Sequence, residues 1–341
     1  MFEKVKKVMS AEEARERIPM TPDLLKIKKE RDEQIEAIID GRDKRKLIIM
    51  GPCSADNEDA VVDYVTRLAR LAEEVKDKFL VMPRIYTGKP RTKGEGYKGM
   101  MHSPDPHSKN TDIEGGILHL RHMHIRAIRE SGLTAADEML YPDNLDYVLD
   151  ILSYIAVGAR SAENQQHRLV ASGIDVPVGI KNPMNGSLPV TLNSIYAAQI
   201  PNEFKYGGYQ VKTTGNKYAH AVLRGSVNVY GNNIPNYHYE DVVRFHAMYM
   251  QQGLANPAVI IDTNHSNSGK NPYEQIRIAK EIFGNMIYPD FNSMVKGLLI
   301  ESYIKDGNQS VDGCEYGKSV TDACLGWEKS EALIKDLAAM I

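Results

Sequence analysis

Only three cysteines, Cys53, Cys314 and Cys324, are spread over 341 residues. That is too few for a disulfide framework in a chain this long, so a reducing cytoplasm is the expected location and Cys53 a free thiol or a metal ligand. No apolar run approaches the roughly 18 residues of a membrane span. The first 19 residues are charged throughout and lack the apolar core of a signal peptide. Neither sign of charge is in excess. Forty-two Lys and Arg against 45 Asp and Glu leave a net charge of −3, which argues against nucleic acid or an anionic membrane as partner. No low-complexity tract or internal repeat stands out. With 42% hydrophobic and 26% charged residues, the chain has an ordinary globular balance and enough length for a large core.

What is present is a rhythm. Short β-branched apolar runs recur: KLIIM from Lys46, FLVMP from Phe79, GLTAADEML from Gly132 and YIAVGAR from Tyr154. VPVGIK from Val176, AHAVLRG from Ala219, AVIIDTNH from Ala258 and GLLIES from Gly297 complete eight. Apolar on both faces, they read as buried parallel strands. Helical spacing predicts helices between them, at Asp59–Val75, Asp143–Ser153, Thr191–Ala198, Tyr239–Gln252 and Tyr273–Phe283. Eight alternations favour a (β/α)8 TIM barrel over a doubly wound open sheet. The barrel takes residues 46–341. Residues 1–45 form an N-terminal helical extension, with Thr21 as candidate cap, Pro22 in the first turn and Gly41 beyond the end. A long loop at Tyr86–Asp112 is a candidate functional segment. Asn202–Lys217 is a candidate hairpin inserted before the sixth strand.

Barrel enzymes carry their chemistry at the C-terminal ends of the strands. Here those ends are Cys53, Arg84, Glu138, Arg160, Lys181, Arg224, His265 and Glu301. All eight deliver a charged or metal-binding group to one rim, which scattered surface charge does not explain. Arg84, Arg160, Lys181 and Arg224, joined by Lys89 and Arg91 of the long loop, are too many cations for one phosphate and point to a ligand with several anionic groups. Cys53, His265 and Glu301, with Asp322 just beyond the last strand, make a mixed thiolate, imidazole and carboxylate set. It suits Mn, Fe, Co or Zn better than Mg or Ca. His119 and His122 share a helical face but lack a third ligand, which argues for a surface role. Cys324 reads as packing and Cys314 as a loop thiol.

With these residues in view, the sequence resembles the class I 3-deoxy-D-arabino-heptulosonate 7-phosphate (DAHP) synthases. The resemblance rests on GPCS at Gly51–Ser54, KPRT at Lys89–Thr92, GYKG at Gly96–Gly99 and IAVGARSAENQQHR from Ile155. It continues in LRG at Leu223–Gly225, DTNHSNSGK from Asp262, GNQS from Gly307 and YGKSVTDACLGW from Tyr316. KPRT separates the chain from the related octulosonate 8-phosphate synthases. The family joins phosphoenolpyruvate to erythrose 4-phosphate, with one divalent metal ion and release of phosphate, at the entry to aromatic amino acid biosynthesis. The resemblance implies Cys53, His265, Glu301 and Asp322 as metal ligands. It puts Arg84, Arg160, Lys181 and Arg224 on phosphoenolpyruvate, Arg91 and Thr92 on the erythrose phosphate, and Lys89 between the two substrates. Lys89, or a metal-bound water, is the candidate proton donor to the new alkoxide, and Glu138 the group that orients the attacking water. A homodimer or homotetramer is expected.

Thr87-Gly88 stands where typical members carry a bulkier aromatic-acidic pair. Pro201–Gly215 is shorter than the hairpin that helps bind an aromatic amino acid in feedback-inhibited members. Weak or absent inhibition by phenylalanine and tyrosine is therefore expected. The alternatives are a related synthase using another aldose phosphate, and a non-catalytic phosphosugar- or metal-sensing barrel.

Overall fold

In the computed structural model, residues 1–89, 96–108 and 110–341 are described. Eight parallel strands form the central sheet: β1 (Lys46–Gly51), β2 (Phe79–Pro83), β3 (Ala136–Glu138) and β4 (Tyr154–Val157), then β5 (Val178–Lys181), β6 (His220–Leu223), β7 (Val259–Asp262) and β8 (Val295–Glu301). Their order, β2-β1-β8-β7-β6-β5-β4-β3, is that of a barrel cut between β2 and β3. A parallel bridge between Arg84 and Ala136 closes the cut, with the Ile85 N–H donating to the Ala136 carbonyl at 2.9 Å. The expected (β/α)8 barrel is thus the observed one.

Alternation along each strand divides the core. Inward side chains such as Leu47, Ile49, Leu80, Met82, Tyr154, Val222 and Ile260 fill the barrel. Outward ones such as Ile48, Val81, Ile155, Ile180 and Ile261 pack on the helix layer. Two helices precede the barrel, α1 (Ala11–Arg17) and α2 (Pro22–Ile39). Ile35, Ile38 and Ile39 at the end of α2 join the inward cluster and plug the barrel's N-terminal mouth. Thr21 takes the extended N-cap conformation without a side-chain cap bond, and Gly41 follows at φ +82.

The helix layer comprises α3 (Glu58–Glu74), α4 (Ile113–Ser131), α5 (Gln165–Ala171), α6 (Leu188–Gln199), α7 (Tyr239–Gln251), α8 (Glu274–Gly284), α9 (Pro289–Met294) and α10 (Trp327–Ala339). The expected helix at Asp143–Ser153 is not there. A 3₁₀ helix spans Pro142–Tyr147 instead and gives way to turns. Past it the bonding is mixed: the Leu145 carbonyl accepts the N–H of both Val148 and Leu149, and the Val148 carbonyl that of both Ile151 and Leu152, so single turns form but no continuous α-helix. The expected hairpin is present, with Glu203–Tyr206 antiparallel to Tyr209–Lys212. Gly207 and Gly208, at φ +56 and +87, make its two-residue turn. No helix among the described residues is long and apolar enough to cross a membrane.

Close strand approach is paid for with glycine. A Cβ on Gly297 in β8 would lie 1.9 Å from the Leu47 carbonyl oxygen of β1. Gly297→Ala should lower unfolding stability by at least about 2 kcal/mol, read as the urea midpoint. Gly284→Ala, where nothing lies within 4 Å of the new Cβ, is the matched control and should change it little.

Candidate active site

Seven of the eight strand-end residues, Cys53, Arg84, Glu138, Arg160, Lys181, Arg224 and His265, line one cleft at the C-terminal mouth of the barrel. Lys89 and Asp322 line it too. Glu301, the eighth, lies fully buried beneath them. Arg91 and Thr92 lie outside the described residues.

The floor is built on one ion pair. Arg84, 2% exposed, donates to Glu301 Oε1 at 3.1 Å and to the Pro52 carbonyl, and its guanidinium stacks 3.7 Å over the Tyr86 ring. Asn264 donates to the other Glu301 oxygen at 2.6 Å. Burial alone would push Glu301 up, but Arg84, with His265 and Lys89, outweighs it and holds the carboxylate charged. Arg84 lines the cleft, yet much of its bonding capacity is directed to Glu301 and Pro52. The turn after β1 is shaped by the same contact. A Cβ on Gly51 would lie 2.1 Å from the Arg84 carbonyl oxygen, so glycine lets the two strand ends close.

Cys53 follows that turn. Its N–H points to Cys324 Sγ at 3.4 Å, and Ser54 Oγ lies 2.8 Å from Thr321 Oγ1, which draws the Asp322 loop against it. Ligand atoms of Cys53, Glu301 and Asp322 fall within 4.8 Å of one another. His265 lies alongside that group of three rather than within it, with Nε2 3.8 Å from Glu301 Oε1 and Nδ1 2.8 Å from Asp262 Oδ2. The Asp262 carboxylate thus lies against the ring as a close ion-pair contact, although neither facing atom makes a geometrically regular hydrogen bond. Burial lowers the His265 pKa against the pull of Asp262 and Glu301, favouring the neutral ring that a ligand requires. Burial, reinforced by Glu301, raises the Cys53 thiol against the pull of Lys89. Two carboxylates, a neutral imidazole and a thiol that protein groups alone keep protonated form a donor set a divalent cation fits. Lys89 Nζ stands 2.6 Å from Cys53 Sγ and 3.9 Å from Asp322. Burial would lower Lys89, but Cys53, Glu301 and Asp322 raise it, so it carries its proton at neutral pH.

The opposite wall is cationic. Lys181 lies 3.8 Å from Glu138 and 3.7 Å from Asp262. Burial lowers Arg224, with Asp262 opposing it and Arg160 adding to it. Neither Arg160 nor Arg224 has an ion-pair partner among the described residues; both line the cleft, and Arg224 Nη1 lies 3.5 Å from Met184 Sδ.

Several residues in or beneath the cleft were not assigned roles from sequence. Tyr86 sits one alternation beyond Arg84, on the same face. Lys270, which pairs with Asp322 at 3.0 Å, and Asp262 both lie inside the quoted DTNHSNSGK stretch. Of the discounted groups, His122 and His119 lie on α4 within 3.0 and 3.5 Å of Glu58, and Cys324 is buried packing. Cys314 is exposed.

The sequence profile of the DAHP synthetase I family matches residues 24–335. The chain belongs to the DAHP synthetase I family. It is 37% identical over 313 residues to the Tyr-sensitive phospho-2-dehydro-3-deoxyheptonate aldolase of Salmonella typhimurium, covering 89% of this chain and 84% of that protein. With the Phe-sensitive protein of Escherichia coli it shares 38% over 314 residues, covering 89% and 86%. With the Haemophilus influenzae phospho-2-dehydro-3-deoxyheptonate aldolase it shares 35% over 345 residues, covering 99% and 92%. The solved structure of the Francisella tularensis phospho-2-dehydro-3-deoxyheptonate aldolase superposes with a TM-score of 0.93 at 29% identity, over 100% of this chain and 98% of that one.

Removing one member of a buried ion pair strands the other. Arg84→Met should cost about 3–5 kcal/mol in unfolding stability, and adding Glu301→Gln should recover part of it. Chemical denaturation of the two variants measures both. Unchanged stability in Arg84→Met would show that Glu301 does not depend on it.

Proposed function

We propose that the protein condenses phosphoenolpyruvate with D-erythrose 4-phosphate and water to give DAHP and phosphate, using a divalent metal ion held by Cys53, His265, Glu301 and Asp322. As a member of its family it is a carbon–carbon bond-forming transferase. The observation that carries the reading is the shared cleft: a cationic wall faces a cluster of metal-binding groups, with Lys89 between them. Two substrates with two phosphates and a carboxylate account for that many cations.

Arg160, Lys181 and Arg224 hold the phosphoenolpyruvate anions, and the segment beginning at Lys89 holds the aldose phosphate. Fixing both brings phosphoenolpyruvate C3 to the aldehyde carbon, which converts an encounter into an oriented step. A divalent cation held by Cys53, His265, Glu301 and Asp322 would supply Lewis acidity to the aldehyde. As C3 bonds to the aldehyde carbon, Lys89 gives its proton to the new alkoxide. Positive charge develops at C2, where water adds, oriented by Glu138. The water's proton passes to that carboxylate, which lies 3.8 Å from Lys181. The phosphohemiketal then loses phosphate by C–O cleavage.

Arg224→Ala should weaken phosphoenolpyruvate binding by about 2–5 kcal/mol, seen as a raised KM for that substrate. Arg91→Ala should instead raise the erythrose 4-phosphate requirement, and an effect confined to phosphoenolpyruvate would reverse the assignment of the two anion sites. Cys53→Ala should lose bound metal and turnover while staying folded. Metal content and near-normal rates retained together would remove Cys53 from the ligand set.

Control of the enzyme is proposed to be weak. The Tyr206 hydroxyl donates to the Pro142 carbonyl at 2.8 Å and to Asp146 at 3.2 Å, so the short hairpin is tied down on the 3₁₀ segment by its own side chain. Initial rates should stay flat into the millimolar range of added phenylalanine or tyrosine, and half-inhibition at micromolar effector would overturn this.

A further inference from the structure

The strands on either side of β3, and the next one along, turn apolar side chains outward to the helices: Val81 in β2, Ile155 and Val157 in β4, Val178 and Ile180 in β5. β3 turns out Asp137. Its carboxylate is 3% exposed, in a layer where burying a charge is costly. Oδ1 accepts the N–H of Thr87 at 3.0 Å and that of Glu138 at 2.6 Å, and Oδ2 accepts the Thr87 hydroxyl at 2.5 Å. His124 of α4 lies 3.5 Å from Oδ2, and neither of its ring nitrogens makes a hydrogen bond. The carboxylate thus spends its bonds on the base of the loop that carries Lys89 and on the backbone of Glu138.

Thr87 passes the constraint on. Its carbonyl accepts the Met100 N–H at 2.9 Å, and the Lys89 N–H donates to the Lys98 carbonyl at 3.1 Å. Gly88 bridges Gly99, where φ is +106 and a Cβ would lie 2.3 Å from the Thr87 oxygen. The two arms of the loop therefore close on Thr87 with no slack, and two residues on Lys89 reaches Cys53 Sγ.

We infer that Asp137 is a positioning residue. It clamps Thr87, so that Lys89 on one side of the cleft and Glu138 on the other stay in register and fix how the aldose phosphate lies between them. The inference rests on the proposed function for its kinetic consequence, though not for the clamp itself.

Thr87→Val removes the hydroxyl donor at nearly constant shape, and Thr87→Ser restores it. A hydrogen bond to a charged group predicts a fall of about tenfold or more in kcat/KM for erythrose 4-phosphate in Thr87→Val. The KM for phosphoenolpyruvate should move less than about twofold, and Thr87→Ser should return to within about threefold of the parent enzyme. Hydrogen exchange at the Met100 amide, followed in the same proteins without substrate, should be faster in Thr87→Val than in the parent or in Thr87→Ser. A lower melting temperature with unchanged kinetics, equal losses for both substrates, or no rescue by serine would reduce Asp137 to a structural role. Unchanged Met100 exchange would refute the clamp. A parent enzyme that does not turn over these substrates refutes the proposed function instead and leaves the exchange comparison as the test of the clamp.

Discussion

The buried pair of Arg84 and Glu301 is the interaction on which the site depends. Three acid-bearing side chains, Cys53, Glu301 and Asp322, converge at the bottom of a cleft, where mutual repulsion and burial both work against charge. Arg84 offsets that from a neighbouring strand. Because β2, β1 and β8 are adjacent, one guanidinium reaches Glu301 and the Pro52 carbonyl together. It therefore fixes both a candidate ligand and the turn that presents another. The apolar run of β1 ends in Gly-Pro-Cys for this reason: Gly51 admits the β2 backbone, Pro52 supplies an acceptor, and Cys53 is delivered to the cluster.

Around that floor the cleft divides by charge. One half gathers acidic and soft donors, the other Arg160, Lys181 and Arg224. Two side chains stand at the seam, Lys89 against Cys53 and Glu138 against Lys181. A second, apolar cavity behind Leu140, lined by Met101, Leu120, Met139, Leu145, Val148 and Leu152, lacks the converging cations of the first. Of these two cavities, the polar cleft is the one whose cations suit an anionic ligand.

Most of the barrel was legible because parallel strands buried on both faces leave unbroken apolar runs, and all eight were found. The rim was legible for the same reason, since charged or metal-binding residues follow such a run closely at a strand's end. Where that marker stopped, the reading stopped. Tyr86 and Asp262 share the rim, but the first is not charged and the second precedes the assigned His265. Asp137 is hidden by alternation, because a carboxylate facing the helix layer is indistinguishable in sequence from one facing the cleft. The segment after β3 was misjudged as an α-helix because apolar spacing does not register the tighter winding that begins at Pro142.

The central claim is that one cleft joins a phosphorylated enol to an aldose phosphate with the help of a bound cation. Phosphate release from phosphoenolpyruvate, measured with erythrose 4-phosphate and with arabinose 5-phosphate before and after chelation, tests it most directly. The account predicts release with the four-carbon sugar, loss of it on chelation and recovery on adding back a divalent metal. Release that favours arabinose 5-phosphate, or that persists undiminished in metal-free enzyme, would contradict it.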